Sequence, residues 1–128
     1  RDSTRGFYEE AVARAVEHIG GDLDVALDLD ALAAAAATSP YHFHRIFRGM
    51  VGETPIGLSR RLRLERAAEQ LRTTDLAVTT IAFAAGYETH EAFTRAFRSA
   101  YAASPSEFRK QPWGSTLLAS RNGLHINQ

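Results

Sequence analysis

The stretch TPIGLSRRLRLERAAEQL, residues 54–71, is a predicted helix around which the rest of the chain is arranged. Thr54 followed by Pro55 is typical of a helix start, because threonine caps the first backbone N–H groups and proline has no N–H to leave unpaired. Two similar segments flank this stretch, so we interpret it as a basic helix that connects two copies of one module. Its arginines fall within two turns and are Arg60, Arg61, Arg63 and Arg66.

Length and composition exclude several classes of protein. The 128 residues, 45% of them hydrophobic, are enough for one compact domain or two very small ones. No run approaches the roughly 18 apolar residues of a membrane-spanning helix, and the N-terminus lacks the pattern of a signal peptide. The absence of cysteine excludes disulfides and cysteine-ligated metal. We therefore expect a soluble, cytoplasmic protein with no membrane partner.

The charges of the chain are segregated although the net charge is zero. Residues 1–37 hold three basic and eight acidic side chains, whereas residues 38–128 hold twelve basic and seven acidic ones. An overall basic balance is the usual signature of a nucleic-acid-binding protein, and it is absent here. Because the local field governs binding more than the sum does, residues 38–128 remain candidates for binding an acidic partner.

An internal repeat lies on both sides of residues 54–71. A shift of fifty residues places Phe43, Arg45, Phe47, Arg48 and Pro55 on Phe93, Arg95, Phe97, Arg98 and Pro105. The helix before each copy aligns with a shift of forty-nine, and one residue of difference is a change that a turn accepts. The repeat indicates that each copy is one structural unit, and it is the strongest signal in the sequence.

Each copy is predicted to contain two helices. Asp28 caps a helix that runs to Thr38, and Ser39 caps the next one. In the second copy a brief helix stops at Gly86, and Thr89 caps the helix that follows. Helical spacing predicts one buried face on the second helix of each copy. These faces are Phe43, Ile46, Phe47 and Met50 in the first copy and Phe93, Ala96, Phe97 and Ala100 in the second.

Two further helices are predicted outside the repeat. Residues 7–19 form an amphipathic covering helix, with Val12, Ala15, Val16 and Ile19 on its apolar side. Near the other end, Ser104 and Glu107 have the spacing of a capping box and begin a last helix that ends near Lys110.

Each copy is therefore a helix, a short turn and a second helix with an exposed basic face, which is the helix-turn-helix pattern. The stretches that carry a resemblance to a known family are HFHRIF in the first copy, RRLRLERAAEQL between the copies and IAFAAGYETHEAFTRAFRSAYAASPSEFRK in the second. Residues 7–110 resemble the DNA-binding domain of AraC/XylS-type bacterial transcription regulators. The resemblance implies an all-α domain over residues 1–111. It would consist of two helix-turn-helix subdomains, at about 28–51 and 78–102, joined by a long central linker helix at about 55–72.

The resemblance also implies a function. Such domains bind double-stranded DNA sequence-specifically, with two recognition helices in successive major grooves about one helical turn, or roughly 34 Å, apart. It implies a monomer on an asymmetric site of about two turns and RNA polymerase as a protein partner. Matching positions for base contacts are Tyr41, His44, Arg45, His90, Glu91, Thr94 and Arg95. Matching positions for contacts to the DNA backbone are Ser39, Arg48, Arg60, Arg61, Thr89 and Arg98.

Two positions depart from the family pattern or fit it weakly. Ala37 stands where the turn of the first motif often has glycine, as Gly86 does in the second. If that position needs a positive φ, alanine is strained there by about 1 kcal/mol. Glu91 can accept a hydrogen bond from cytosine N4, but it is repelled by phosphate.

Other interpretations stay open beside DNA binding. The main alternative is a helical protein-interaction module whose exposed arginines and histidines meet an acidic partner. The linker arginines can also pair with Glu65 and Glu69 on their own helix. Neither an enzyme nor a cofactor is expected, because no nucleophile, paired-carboxylate or metal constellation converges anywhere in the chain. His42 and His44 do not predict a metal site, since residues two apart face different sides of a helix.

The last residues, PWGSTLLASRNGLHINQ at 112–128, have no helical period. We expect a linker, or the first strand of a missing C-terminal effector domain through which a small molecule would act. The alternative is the disordered C-terminus of a regulator that consists of this domain alone.

Overall fold

The structure, a computed structural model, describes residues 2–111 and 113–126, and every regular element among them is a helix. The predicted all-α fold with two helix-turn-helix motifs and a long central helix is confirmed. The chain divides between Ser59 and Arg60, inside the fourth helix, into two compact parts that we call unit 1 and unit 2. The helices are α1 (Asp2–Gly21), α2 (Leu29–Ala35), α3 (Pro40–Val51), α4 (Pro55–Thr73), α5 (Val78–Ala84), α6 (His90–Tyr101) and α7 (Pro105–Lys110).

The helix starts follow the capping residues that the sequence predicts. The side-chain oxygens of Asp28, Ser39, Thr54 and Thr89 each accept a hydrogen bond from the backbone N–H three residues later. These bonds satisfy N–H groups that have no partner inside a helix. Among the described helices, none is long and apolar enough to cross a membrane.

The predicted capping box at the start of α7 is confirmed in both directions. Ser104 Oγ accepts from the backbone N–H of Glu107 at 3.1 Å, and Glu107 Oε1 accepts from the backbone N–H of Ser104 at 2.9 Å. The backbone hydrogen bond from Ser104 is the main reason why the pKa of Glu107 lies below its ordinary value.

In unit 1 the core forms where α1 and α2 meet α3. Phe43 and Phe47 of α3 are 2% and 0% exposed, and their ring centroids lie 5.9 Å apart. Ala33 of α2 is buried against this helix. The buried side chains of α1 are Ala11, Val12, Ala15 and Ile19.

In unit 2 the corresponding phenylalanines, Phe93 and Phe97, are both fully buried. They lie in a core with Ile81 and Ala82 of α5 and with the apolar side of α4. Phe108 of α7 contacts Phe97 edge to face at 5.2 Å between centroids. Burial of each large apolar side chain contributes about 1.5 to 3 kcal/mol, so these aromatic residues hold α6 in place.

The predicted buried faces of α3 and α6 are wrong at one position each. Met50 is 45% exposed and Ala100 is exposed, although both were expected inside. The core contact follows the i, i+4, i+8 row instead, so Val51 at the end of α3 is buried. Helices commonly pack along such i+4 ridges, and the i+7 residue is then left at the edge of the contact.

Each motif contains two left-handed backbone positions, one in its turn and one at the end of its second helix. The turn positions are Ala37 (φ 54°) and Gly86 (φ 92°), and the helix ends are Gly52 (φ 89°) and Ala102 (φ 61°). The expected positive φ at Ala37 is confirmed. The two motifs thus carry alanine at opposite positions, and each alanine costs about 1 to 2 kcal/mol. At Gly86 a Cβ would also lie 2.4 Å from Arg63 Nη1.

Residues 113–126, which we call the C-terminal strap, are irregular and fold back on unit 2. The guanidinium of Arg72 donates to the carbonyl oxygens of Trp113 and Gly114, and it stacks on the Phe108 ring at 3.7 Å. Residues 113–126 form no strand, and they find hydrogen-bond partners on α4 and α6. That the segment leads to a further domain stays a prediction.

Candidate nucleic-acid interface

The outward face of α3 brings together the residues predicted for the first groove. Tyr41 is 74% exposed, and Arg45 and Arg48 are exposed beside it. His44 is half-buried, and it lines one shallow depression with these three residues. Arg45 Cζ lies 6.0 Å from the centroid of the Tyr41 ring, a distance at which a cation and an aromatic face attract each other.

The outward face of α6 carries the second predicted set. His90, Glu91, Arg95 and Arg98 are all exposed. Thr94 is half-buried, and its Oγ1 is buried without a hydrogen-bond partner among the described residues. The carboxylate of Glu91 lies in the first turn, where the helix dipole stabilises a negative charge.

The two faces match in exposure from Phe43 to Met50 and from Phe93 to Ala100. In each helix the two phenylalanines are buried, and the two arginines between and after them are exposed. Each helix also begins at a capped residue, Ser39 or Thr89, where backbone N–H groups and the positive end of the dipole favour an anion. The structure therefore places two equivalent basic surfaces at equivalent positions of the repeat.

The linker arginines do not share one environment. Arg60 is exposed, whereas Arg66 Nη2 donates to the carbonyl oxygen of Ala84 at 2.8 Å. The side chain of Arg61 is only 12% exposed and pairs with Glu65 at 3.2 Å, which confirms the expected pairing on the same helix. A contact of Arg61 with the DNA backbone stays a prediction, and its guanidinium is engaged inside unit 2.

Tyr87, in the turn between α5 and α6, lies close to the linker arginines. Burial raises the pKa of its hydroxyl, and the positive charges of Arg60 and Arg63 oppose that shift. The hydroxyl is therefore neutral at physiological pH.

The sequence did not predict that Glu65 is buried and hydrogen-bonded to several parts of the chain. Its side chain is 0% exposed although it carries an ionisable group. It lies in one row with Leu58 and Leu62, at the i, i+4, i+7 spacing of an apolar helix face. A glutamate in such a row was the available signal, because a carboxylate on a buried face needs hydrogen-bond partners beyond the arginine of its own helix.

Comparison with known proteins gives one family. Residues 32–111 match a family described as a helix-turn-helix domain. The regulatory protein SoxS of Salmonella typhimurium is 30% identical over 102 residues, which cover 80% of this chain and 95% of SoxS. The HTH-type transcriptional activator AarP of Providencia stuartii is 32% identical over 109 residues, which cover 84% of this chain and 80% of AarP.

Other relatives are longer than this chain. The right origin-binding protein of Escherichia coli is 35% identical over 92 residues, or 72% of this chain and 32% of that protein. The chain thus spans about a third of the length of this protein and of the regulator YbfP of Bacillus subtilis, where it covers 35%.

Solved structures agree with the fold. The C-terminal domain of AraT, a response regulator from Geobacillus stearothermophilus, has a TM-score of 0.71 and 32% identity, covering 82% of this chain and 88% of that domain. The DNA-binding domain of AdpA in complex with a target DNA has a TM-score of 0.62 and 30% identity, covering 84% of this chain and 97% of that domain. From the two helix-turn-helix motifs, the long helix between them and these matches, we conclude that the chain belongs to the AraC/XylS family of transcription regulators.

Proposed function

We propose that this chain binds double-stranded DNA sequence-specifically and regulates transcription, with α3 and α6 as its two recognition helices. The observation that carries the proposal is the matched exposure of the two outward faces, each with two exposed arginines at repeat-equivalent positions. The similarity to the AdpA domain, which was solved on its target DNA, supports the same conclusion. Each helix would enter one of two successive major grooves.

We assign base recognition to residues in the first half of each recognition helix. On α3 we assign it to Tyr41, His44 and Arg45, and on α6 to His90, Glu91, Thr94 and Arg95. A guanidinium can donate two hydrogen bonds to guanine O6 and N7, which makes Arg45 and Arg95 the strongest candidates. Because the hydroxyl of Thr94 is buried, we assign this residue an apolar contact, such as one with a thymine methyl group.

Contacts to the DNA backbone are assigned to the capped helix starts and to the remaining exposed arginines. Ser39 and Thr89 begin the two recognition helices, so backbone N–H groups near them can donate to phosphate oxygens. Arg48, Arg60 and Arg98 add positive charge. These contacts position the domain without reading sequence, and each one adds to the salt dependence of binding.

Selection of bound sites from a random duplex pool, followed by footprinting, tests the proposal. We expect an asymmetric site with protection of about two helical turns, or roughly 20 base pairs, by one copy of the chain. Protection of a single turn would contradict reading by two helices. Absence of salt-dependent binding to any duplex would favour a protein-interaction module instead.

The remaining features of the proposal follow from this activity. A regulator that acts on the bacterial chromosome works in the cytoplasm, and RNA polymerase is the protein partner that transcription control requires. We propose no cofactor, metal or enzymatic activity for the domain, and a small-molecule effector would act only through a further domain.

A further inference from the structure

A fully buried carboxylate on α4 is unexplained by the proposed DNA contacts. Glu65 Oε2 lies 3.2 Å from Arg61 Nη1, 2.9 Å from the backbone N of Leu118 and 2.9 Å from His125 Nδ1. Glu65 Oε1 accepts from the backbone N–H of Ile126 at 3.0 Å. A buried charge is tolerated only when it is paired and hydrogen-bonded, and here both requirements are met.

Most of these partners belong to the C-terminal strap. Leu118, His125 and Ile126 lie 53, 60 and 61 positions after Glu65 in the chain. The strap is also held at its beginning, where the Tyr101 hydroxyl donates to the carbonyl oxygen of Thr116 at 2.6 Å. Burial is the main reason why the pKa of Tyr101 is raised, so its hydroxyl keeps the proton that it donates. The docked strap therefore supplies three partners of the buried carboxylate, beside Arg61 of the same helix.

Arg61 is held by the same arrangement. Its Nη1 pairs with Glu65, and its Nη2 donates to Asn122 Oδ1 of the strap at 3.4 Å. Without the strap, the i, i+4 pair of Arg61 and Glu65 would lose the hydrogen bonds from Leu118, Asn122, His125 and Ile126, and a phosphate would compete more easily for Arg61. With the strap docked, moving Arg61 away would take a cation from a buried carboxylate, and this is strongly unfavourable.

We propose that the C-terminal strap is a regulatory element that docks on Glu65 and keeps Arg61 away from the DNA backbone. Release of the strap adds Arg61 to the phosphate contacts, and it makes DNA binding tighter and more dependent on salt. The inference rests on the proposed DNA binding, because it assigns Arg61 to a phosphate when the strap is undocked. Any event that pulls residues 118–126 from α4 would have this effect.

The test removes strap donors without changing Arg61 or Glu65. His125→Ala removes the imidazole, and Leu118→Pro in the same chain also removes one backbone N–H. Trypsin cleavage after Arg121, followed by mass spectrometry, reports undocking without DNA, since Arg121 lies inside the strap. We expect cleavage about tenfold faster in the double variant. The matched control is His18→Ala in unit 1, which we expect to be cleaved at the wild-type rate.

The dependence of DNA affinity on salt concentration then measures how undocking of the strap changes DNA binding. On a selected duplex, the slope of log affinity against log salt should steepen by about 0.9 in the strap variants, which corresponds to one added phosphate contact. Adding Arg61→Ala should remove this steepening. Circular dichroism verifies that each variant keeps its helices, and His125→Ala alone serves if the proline variant does not fold.

Three results would overturn the inference. The first is unchanged cleavage after Arg121 in both strap variants, and the second is faster cleavage with an unchanged salt slope. The third is a steeper slope that persists with Arg61→Ala. If the wild-type chain shows no salt-dependent DNA binding at all, the proposed function itself fails, which these three results do not imply.

Discussion

Ala37 and Ala102 have backbone conformations that glycine adopts at lower cost. Their φ values are 54° and 61°, while the repeat-equivalent positions hold Gly86 and Gly52. A side chain at Gly86 would also displace the guanidinium of Arg63, which is the flexible end of its side chain, so the positive φ is the main reason for glycine there. The two alanines are therefore sites where the natural sequence is below its best stability.

Replacing Ala37 with glycine should raise the free energy of unfolding by about 1 kcal/mol, because it relieves left-handed strain. The measurement is the urea midpoint of unfolding. Ala34→Gly is the matched control, since Ala34 lies inside α2, where the same change should cost about 1 kcal/mol. An equal loss of unfolding free energy in Ala37→Gly and Ala34→Gly would contradict strain at Ala37.

Replacing Arg45 with alanine should relax specificity at one base pair by about 1 to 3 kcal/mol. Arg60→Ala should instead weaken all duplexes alike and reduce the salt slope by about 1. Competition binding against single-base variants of the selected site distinguishes the two. A uniform loss for Arg45→Ala would assign this arginine to the backbone.

At the scale of single residues, the sequence predicts exposed side chains better than buried interactions. The exposure of Arg45 and Arg95 was predicted because the two residues occupy equivalent positions in the repeat. The buried interactions of Glu65 were not predicted, because two of its partners are backbone N–H groups, and nearly every residue type provides one. The pairing of Arg61 with Glu65 was predictable, since it lies within one helix.

At the scale of elements, capping chemistry predicted where the helices begin. There are two exceptions. Helix α1 begins at Asp2 rather than near Phe7, since its first polar turn has no apolar period, and α5 begins after Ala77, which makes no side-chain cap. The core rows of α3 and α6 were wrong at Met50 and Ala100, because the choice between i+4 and i+3 ridges depends on neighbouring helices. The strap has no period and could not be predicted from the pattern.

The capping box of α7 gives a prediction with a pH dependence. Ser104→Ala should destabilise the chain by about 1 kcal/mol at pH 7, because α7 loses its cap. The pKa of Glu107 is lowered in the folded chain, so its contribution is present above the ordinary glutamate pKa and is lost as pH falls through the lower folded value.

Thermal unfolding at pH 7 and at about pH 3 measures this effect, since the second value lies below the ordinary glutamate range. The difference in stability between wild type and Glu107→Gln should be smaller at the acid pH, because a protonated glutamate and a glutamine both lack the charge that the Ser104 N–H stabilises. The control is Ser106→Ala, since Ser106 is exposed and directly precedes Glu107 in the same helix. A constant difference would show that Glu107 does not take part in the cap's stability.

At the scale of the whole molecule, the proposed reading of DNA by both α3 and α6 predicts two half-sites in a selected duplex. Inserting five base pairs between the half-sites of a selected duplex turns one of them by about half a helical turn. We expect affinity to fall by at least about tenfold, since only one helix can then read its bases. Gel shifts measure this, and the same insertion outside the protected region should have no effect.

The burial of Glu65 also sets an order of events during synthesis. Leu118 and Ile126 follow Glu65 by 53 and 61 residues. At about 5 to 20 residues per second, a ribosome delivers them several seconds later. During that interval α4 exposes a carboxylate that the finished protein buries, and unit 2 can adopt its final packing only after the strap has left the exit tunnel.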